Sequence, residues 1–231
     1  MIATIHQPQY LPWLGYFDKM DQADVFVLLD TVQFKKNEWQ NRNRIKTAQG
    51  WQWITVPTLH RFPSLIREVQ INAEVSWAHK HRQALCTHYG RAPYFQPHRD
   101  FFEATYSQRW ENLVDLNVHV IRYLTTALGI KTPLVLASTL PTSEEPTERL
   151  LTICRSLGAT AYLSGRDGGK YMRTSRFAEE GIDLLFQDFT HPVYAQLYGE
   201  FLPQLSAIDL LLNCGSASLS ILRQGRKQRH L

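Results

Sequence analysis

Two short apolar runs near the start of the chain each lead into polar side chains that can do chemistry. His6 and Gln7 follow the run at residues 2–5, and Asp30 ends the run at residues 25–30. Carboxyl ends of adjacent parallel strands meet at one edge of a sheet, where ligands bind. Imidazole and carboxylate groups can accept protons, and an amide can bind hydroxyl groups. The pattern therefore predicts a site at this edge.

A cationic stretch, KKNEWQNRNRIK at residues 35–46, directly follows Asp30 and Gln33. Arginine can bind two oxygens of a phosphate at once, and asparagine amides add donors. The stretch is too polar for a core strand and too aromatic for a plain linker. Anion binding and a solvated loop are equally good interpretations. The candidates for substrate binding here are Gln33, Lys36, Trp39, Asn41, Arg42, Arg44 and Lys46.

A glycine-rich segment, YLSGRDGGKYM at residues 162–172, follows a third predicted strand. Glycines let backbone N–H groups approach an anion closely, and neighbouring cations neutralise its charge. The spacing is not that of a Walker loop. We therefore expect Gly165, Arg166 and Tyr171 to contact substrate, and we interpret Ser164 as a turn serine. His191, which precedes a proline, is either an acid–base group or a structural residue.

Aromatic side chains crowd the turn after the first strand. Tyr10, Trp13 and Tyr16 can stack on a sugar or a base, although any one of them is equally explained as core packing. Pro8 and Pro12 bracket the turn. Because a residue before proline disfavours helix, Gln7 and Leu11 are expected to be extended.

The remaining pattern alternates helices with short apolar strands. We predict strands near residues 133–138, 160–165 and 181–189, and helices near residues 77–90, 110–128 and 142–159. The fold class is α/β, with a Rossmann-like, mainly parallel sheet flanked by helices. A small antiparallel excursion is expected around residues 50–72, with residues 51–57 pairing with residues 64–71, and the C terminus is helical. One domain, residues 1–222, contains a helical insert at about 77–128, and residues 223–231 form a basic flexible tail.

Composition limits the classes of function. The 231 residues are 44% hydrophobic and carry a net charge of +4, which suits an anionic ligand but not a nucleic-acid partner. Three scattered cysteines and the lack of a signal or membrane-length apolar run favour a cytoplasmic protein without a transmembrane segment. Cys154 is assigned to a helical core face. The nine histidines show no metal-ligand spacing. Oligomeric state stays open.

Several motifs resemble those of the WbqC-like family. They are IHQPQYLPWLGYFDKMDQADVFVLLDTVQF, NRNRIK, Trp77 with the histidines after it, APYF, LGI, the run from LGA through YLSG, HPVYAQ and LSAIDLLLNCG. The resemblance runs from Ile5 to about Leu222. This family is known from bacterial O-antigen and surface-polysaccharide gene clusters. The resemblance implies a transferase of glycan (lipopolysaccharide) synthesis that acts on a small-molecule or glycan substrate. The reaction suggested for the family is the attachment of an amino acid such as glycine to a sugar.

A more distant similarity is to nucleotidyltransferases with the P-x-H-x-G-H-L motif. The corresponding run here is Pro8-Gln9-Tyr10-Leu11-Pro12-Trp13-Leu14, in which Tyr10 and Trp13 replace both histidines and Pro12 replaces the glycine. The similarity implies a related architecture and an alternative nucleotide-binding activity with ATP or CTP, for which Mg²⁺ is a possible cofactor.

Our leading hypothesis is a transferase that uses an activated, phosphate-containing donor, such as a nucleotide-sugar. His6 is the candidate base or phosphate ligand, Asp30 and Gln7 would bind hydroxyl groups, and His191 is a further catalytic candidate. The alternatives are nucleotidyl transfer and a non-catalytic protein that binds a glycan or nucleotide. All three hypotheses require the opening turn, the arginine stretch and the glycine-rich loop to converge on one cleft.

Overall fold

The chain alternates strands with helices, as the sequence pattern indicates, and a computed structural model describes residues 1–227. The strands are β1 (Ile2–His6), β2 (Val25–Leu28), β3 (Arg42–Thr47), β4 (Gly50–Thr55), β5 (Thr58–Leu59), β6 (Gln70–Ile71), β7 (Leu134–Leu136), β8 (Ala161–Ser164) and β9 (Asp183–Phe186). The helices are α1 (Leu14–Asp21), α2 (Trp77–Tyr89), α3 (Gln96–Ser107), α4 (Leu113–Ala127), α5 (Pro146–Ser156), α6 (Ser175–Glu179), α7 (Ala207–Cys214) and α8 (Ser218–Gln224).

A five-stranded parallel sheet forms the centre of the fold. Its order is β7-β2-β1-β8-β9, and every neighbouring pair is parallel. The chain builds outward from β1 in one direction through β2 and β7, and then in the other through β8 and β9. The order therefore reverses between β1 and β8, where doubly wound sheets place their ligands. The predicted Rossmann-like α/β fold is confirmed.

The sheet separates two hydrophobic cores. Side chains alternate across a strand, so Phe26 and Leu28 face one core while Val25 and Val27 face the other. Helices α1, α4 and α7 contribute to the larger core. Helices α5 and α6 cover the opposite face, and Cys154 is buried there as expected. Both faces of β1 and β2 are thus covered, which explains their continuous apolar sequence.

The antiparallel part of the fold begins earlier than the sequence indicates. Strands β3 and β4 form a hairpin in which Arg42 pairs with Thr55 and Thr47 with Gly50. Strand β4 therefore pairs with the cationic stretch and not with residues 64–71, because a tight turn makes the adjacent segment its nearest partner. Residues 70–71 pair instead with the two-residue strand β5.

The helical regions show two further differences. Helix α3 begins at Gln96, where the prolines at residues 93 and 97 indicate only a loop. At the C terminus, helix α8 includes Arg223, and ion pairs join Arg223 and Arg226 to α1. The expected flexible tail therefore does not begin at residue 223, since these cations meet carboxylates on a neighbouring helix. Residues 228–231 of that tail lie outside the described residues.

Two features are absent from residues 1–227. No helix in this range is both long and apolar enough to cross a membrane. The same range contains no group of three or more His, Cys, Asp or Glu side chains arranged to hold a metal ion.

Candidate functional site

A cavity of about 460 Å³ lies at the point where the strand order reverses. Three of its lining segments lie at strand ends: His6 is the last residue of β1, the glycine-rich loop follows β8, and Gln187 follows β9. The first turn of α1 lies beside them. The lining residues are His6, Trp13, Gly15, Lys19, Gly165, Arg166, Asp167, Gly168, Tyr171, Gln187, Phe189, His191 and Gln204. Its volume is in the usual range for a small-molecule site.

The turn before α1 is held in a strained conformation. Leu11 has a φ of 46°, so it is left-handed and not extended as the following proline indicates. The buried Asn43 side chain stabilises this strained backbone, because its Nδ2 donates a hydrogen bond of 2.6 Å to the Leu11 carbonyl oxygen. The Trp13 ring then lies against Gly15, where an added Cβ would come within 2.2 Å of it. Only glycine fits there.

Lys19 places an almost fully buried ammonium group at the cavity wall. Its side chain is 3% exposed, and its Nζ donates one hydrogen bond, of 3.1 Å, to the Ile5 carbonyl oxygen. Lys19 belongs to none of the ion pairs formed within residues 1–227. Burial lowers the pKa of Lys19 to about 7. A buried cation without a counterion is costly, so this group favours an anionic guest.

His6 supplies a neutral imidazole to the same wall. Burial, and then the charge of Lys19, lower the pKa of His6 well below its ordinary value. Its ring lies 4.9 Å from the ring of Tyr16, and its Nδ1 is buried with no hydrogen-bond partner. A neutral imidazole with an unused nitrogen can accept a proton.

The glycine-rich loop covers the end of β8. An added Cβ on Gly168 would come within 1.9 Å of the Ser164 Oγ, so the loop can approach the strand this closely only with glycine. Arg166 is exposed and pairs with Asp188 at 2.6 Å. Such an exposed pair is weak and free to exchange partners. The loop therefore brings a movable guanidinium to the cavity.

An aromatic wall closes the remaining side. The Trp13 ring is 5.9 Å from Phe189 and stacks at 6.4 Å on His191. Burial lowers the pKa of His191. Gln187 is fixed by hydrogen bonds of 2.8 Å to the Gly15 carbonyl oxygen and 2.7 Å to Asp18. The wall is thus rigid, largely apolar and tied to α1.

Three predicted site residues serve the packing of the fold instead, among them Tyr16, which is fully buried in the larger core. The Tyr10 hydroxyl bonds to His81 at 2.9 Å and to Tyr106 at 2.7 Å, and Tyr10 is fully buried. Asp30 accepts a hydrogen bond from the Ser138 backbone N–H at 2.9 Å and is 2% exposed. None of these three residues lines the cavity. Asp30 follows β2, on the side of β1 away from the reversal point.

Four more predicted residues lie outside the cavity. Gln7 accepts a hydrogen bond of 2.7 Å from Gln40. Asn41 donates to the Val56 carbonyl oxygen at 2.9 Å. Gln33 is exposed and forms an isolated bridge with Leu65, and Lys36 is also exposed.

The cations of strand β3 do not line the cavity either. Lys46 is buried, and its Nζ donates to Gln196 at 2.9 Å and to the Glu200 carbonyl oxygen. Arg42 and Arg44 stack on tryptophan rings, and Trp39 lines a smaller pocket together with Trp13 and Gln204. The opening turn and the glycine-rich loop therefore converge on one cavity, but the arginine stretch lies beyond Trp13.

The structure also adds residues that the sequence pattern did not identify. Gln187 was detectable, because it lies near the carboxyl end of the strand predicted at residues 181–189. Lys19 gave no signal, since a lysine in an amphipathic helix is ordinarily exposed. Gln204 lies in a region without regular structure, and only the tertiary fold brings it to the cavity.

Comparison with known proteins connects this site to a family. The family model described as the WbqC-like protein family matches residues 7–221. The chain belongs to the WbqC-like family. A relative from Mycobacterium tuberculosis strain H37Rv, uncharacterized protein Rv1507c, is 37% identical over 229 residues, covering 97% of this chain and 99% of the relative. No solved structure matches the chain at a significant level.

The WbqC-like match includes nearly the whole cavity. Every lining residue except His6 lies within residues 7–221, and His6 immediately precedes the matched span. The cavity at the reversal point therefore lies almost entirely within the part of the chain that the family model matches.

Proposed function

We propose that this WbqC-like protein is a transferase of surface-glycan synthesis that binds an activated, phosphate-containing donor in the cavity between β1 and β8. The buried, unpaired ammonium group of Lys19 carries the proposal. A phosphate group would supply the counterion that the fold does not. The resemblance to a family of O-antigen and surface-polysaccharide gene clusters supports the glycan context.

The residues of the cavity divide the chemistry between them. An acceptor hydroxyl or amine attacks the electrophilic carbon of the donor, and the bond from that carbon to a phosphate oxygen breaks. The bonding electron pair leaves with the phosphate, whose charge Lys19 and Arg166 neutralise. His6, which is neutral at pH 7, takes the proton of the acceptor.

Lys19 links this binding to pH. An anion beside its ammonium group favours the charged form and raises the pKa of Lys19 from about 7. Binding above pH 7 therefore takes up a proton, and phosphate affinity falls as the pH rises. An exposed lysine site would stay charged until about pH 10 and would not show this fall.

Calorimetric titration with inorganic phosphate, pyrophosphate, UDP and a UDP-sugar tests the proposal. We expect Lys19→Met to weaken binding of these anions at least tenfold, whereas Lys131→Met, at an exposed lysine outside the cavity, leaves it unchanged. Repeating the titrations at pH 6.5 and 8.5 should show weaker binding at the higher pH. Equal affinities in the wild type and Lys19→Met would contradict the proposal.

Turnover separates the transferase from its alternatives. ³¹P NMR of the wild type with a nucleotide-sugar and candidate acceptors should show release of the nucleoside diphosphate. His6→Gln should abolish that release while still binding UDP. Release of pyrophosphate from ATP or CTP with Mg²⁺ would indicate nucleotidyl transfer instead, and binding without any release would indicate a non-catalytic role.

A further inference from the structure

One face of the β3–β4 hairpin carries an exposed aromatic surface, here called the tryptophan platform and made of Trp39, Trp51, Trp53, Arg42 and Arg44. Arg44 pairs in register with Trp53, and cross-strand partners share a face. Trp53 lies 5.6 Å from both Trp39 and Trp51. Trp51 is 45% exposed and Trp53 is 37% exposed. These rings are therefore accessible and are not part of a core.

The two arginines of the platform are held in place but not neutralised. The Arg42 guanidinium lies 4.1 Å from the centre of the Trp53 ring, and that of Arg44 lies 5.1 Å from the Trp51 ring. Within residues 1–227 neither arginine forms an ion pair. The Nε atom of each is buried without a hydrogen-bond partner. Positive charge beside partly exposed aromatic rings suits a partner with a flat apolar face and an anionic group.

The platform is connected to the cavity through two residues. Trp39, Trp13 and Gln204 line a pocket of about 210 Å³, and Trp13 and Gln204 also line the cavity that holds Lys19. Arg44 donates hydrogen bonds of 3.1 Å and 3.2 Å to Gln204. The pocket is smaller than the ~300–1,000 Å³ of typical ligand sites, so it admits one small ring. The surface thus leads from the platform to the site of reaction.

We infer that the tryptophan platform binds the acceptor: a pyranose chain that carries a carboxylate or phosphate group. The apolar faces of its rings lie on Trp51 and Trp53, and the anionic group meets Arg42. The pocket between Trp39 and Trp13 takes the terminal sugar, whose free hydroxyl or amine then points toward His6. The assignment of an acceptor rests on the proposed transferase function, whereas the binding surface itself rests on the hairpin alone.

Arginines stacked on aromatic rings also occur where single-stranded nucleic acid binds. The glycan is favoured because the platform leads into a pocket that fits one ring, and because the chain has a net charge of only +4. A nucleic-acid site would instead track a long backbone with many cations, and its affinity would fall steeply with salt.

Binding of three defined probes tests the inference. These are a tetrasaccharide of alternating hexuronic acid and N-acetylhexosamine, a neutral chitotetraose and a single-stranded oligodeoxythymidine. We expect the acidic tetrasaccharide to bind best and Trp53→Ala to weaken it at least tenfold. Phe62→Ala, which removes another exposed aromatic ring (84% exposed) outside the platform, should change nothing. Arg42→Gln should remove the preference for the acidic over the neutral tetrasaccharide.

A second measurement avoids any dependence on variants. In the wild type, the acidic tetrasaccharide should shift the indole N–H signals of Trp51 and Trp53 in ¹⁵N NMR spectra. Unshifted indole signals, unchanged affinity in Trp53→Ala, or preferential binding of the oligodeoxythymidine with a steep salt dependence would overturn the inference.

The experiments test the tryptophan platform and the donor site in the cavity independently. Trp53→Ala should bind phosphate and UDP normally, while Lys19→Met should bind the tetrasaccharide normally. If Lys19→Met binds UDP as the wild type does while Trp53→Ala loses the tetrasaccharide, the donor site is wrong and the platform stands. If Lys19→Met loses UDP while Trp53→Ala binds the tetrasaccharide as the wild type does, the platform is wrong and the donor site stands.

Discussion

The ammonium nitrogen of Lys19 lies 3.1 Å from the carbonyl oxygen of Ile5, in the strand that begins the fold. This hydrogen bond fixes the lysine beside His6, at the reversal point of the sheet. It satisfies one of three ammonium protons and supplies no negative charge. The protein thus keeps a cation buried at its cavity at a cost to its own stability.

That cost predicts a pH dependence of stability. Burial lowers the pKa of Lys19 from 10.5 to about 7, so above pH 7 the unfolded chain binds more protons than the folded chain at this position. The free energy of unfolding should then rise with pH, by about 2 kcal/mol between pH 7 and 9. Below pH 7 the penalty is constant. Urea denaturation at the two pH values measures the rise.

The same comparison in Lys19→Met isolates the contribution of this lysine. The charge of Lys19 also lowers the pKa of His6, but burial lowers that pKa more, so His6 stays neutral between pH 7 and 9 in both proteins. The variant should lack the rise, and the exposed control Lys131→Met should keep it. Parallel changes in the wild type and Lys19→Met would show that the buried ammonium group is not the cause.

Gly168 should be intolerant of a methyl group. Its added Cβ would come within 1.9 Å of the Ser164 Oγ and 2.7 Å of Met172, so Gly168→Ala should destabilise the protein by about 1–3 kcal/mol. Gly165→Ala is the matched control, since its Cβ would meet no atom within 4 Å. Thermal denaturation measures both variants.

A double-mutant cycle tests the cause of that strain. In a Ser164→Gly background the contact with Ser164 is gone and only the contact with the flexible end of Met172 remains, so Gly168→Ala should cost less. An equal cost in both backgrounds would show that the contact with Ser164 is not the cause of the strain.

Arg226 should contribute substantially to stability. Its Nε lies 2.6 Å from Asp18, a fully buried carboxylate, so Arg226→Met leaves a buried charge with fewer partners and should cost about 3 kcal/mol. Lys227→Met is the control: its pair with Asp188 spans 3.8 Å and both side chains are exposed, so it should cost less than about 1 kcal/mol. Equal losses in urea denaturation would contradict the difference.

Tyr10→Phe should lower the stability of the protein without changing its affinity for phosphate. The substitution removes two buried hydrogen bonds, to His81 and Tyr106, and should lower the free energy of unfolding by about 1–3 kcal/mol. Because Tyr10 does not line the cavity, the affinity for phosphate should be unchanged. Tyr94→Phe, at an exposed tyrosine, should alter neither quantity. A loss of phosphate binding in Tyr10→Phe would show that Tyr10 contributes to the binding site.

Much of the fold was predictable because parallel strands have a strong local signal. Runs such as VFVL at residues 25–28 are apolar on both faces, and the helices between them have periodic apolar residues. The pairing of β4 with β3 was not predictable in the same way. Arg42, Arg44 and Lys46 made β3 resemble a loop, and the alternation of its buried Asn43 and Ile45 becomes meaningful only against a partner strand.

The sequence by itself determined which side chains stand at the ends of strands. His6 and Gly165 both lie at strand ends and line the cavity, because the chain direction of a parallel strand sets where its last residue lies. The tertiary structure alone decided that Lys19 is buried, that Tyr10 is a core residue, and that Arg42 and Arg44 stack on tryptophans. Those outcomes depend on which elements pack together, and contacts between residues far apart in the chain leave no local pattern in the sequence.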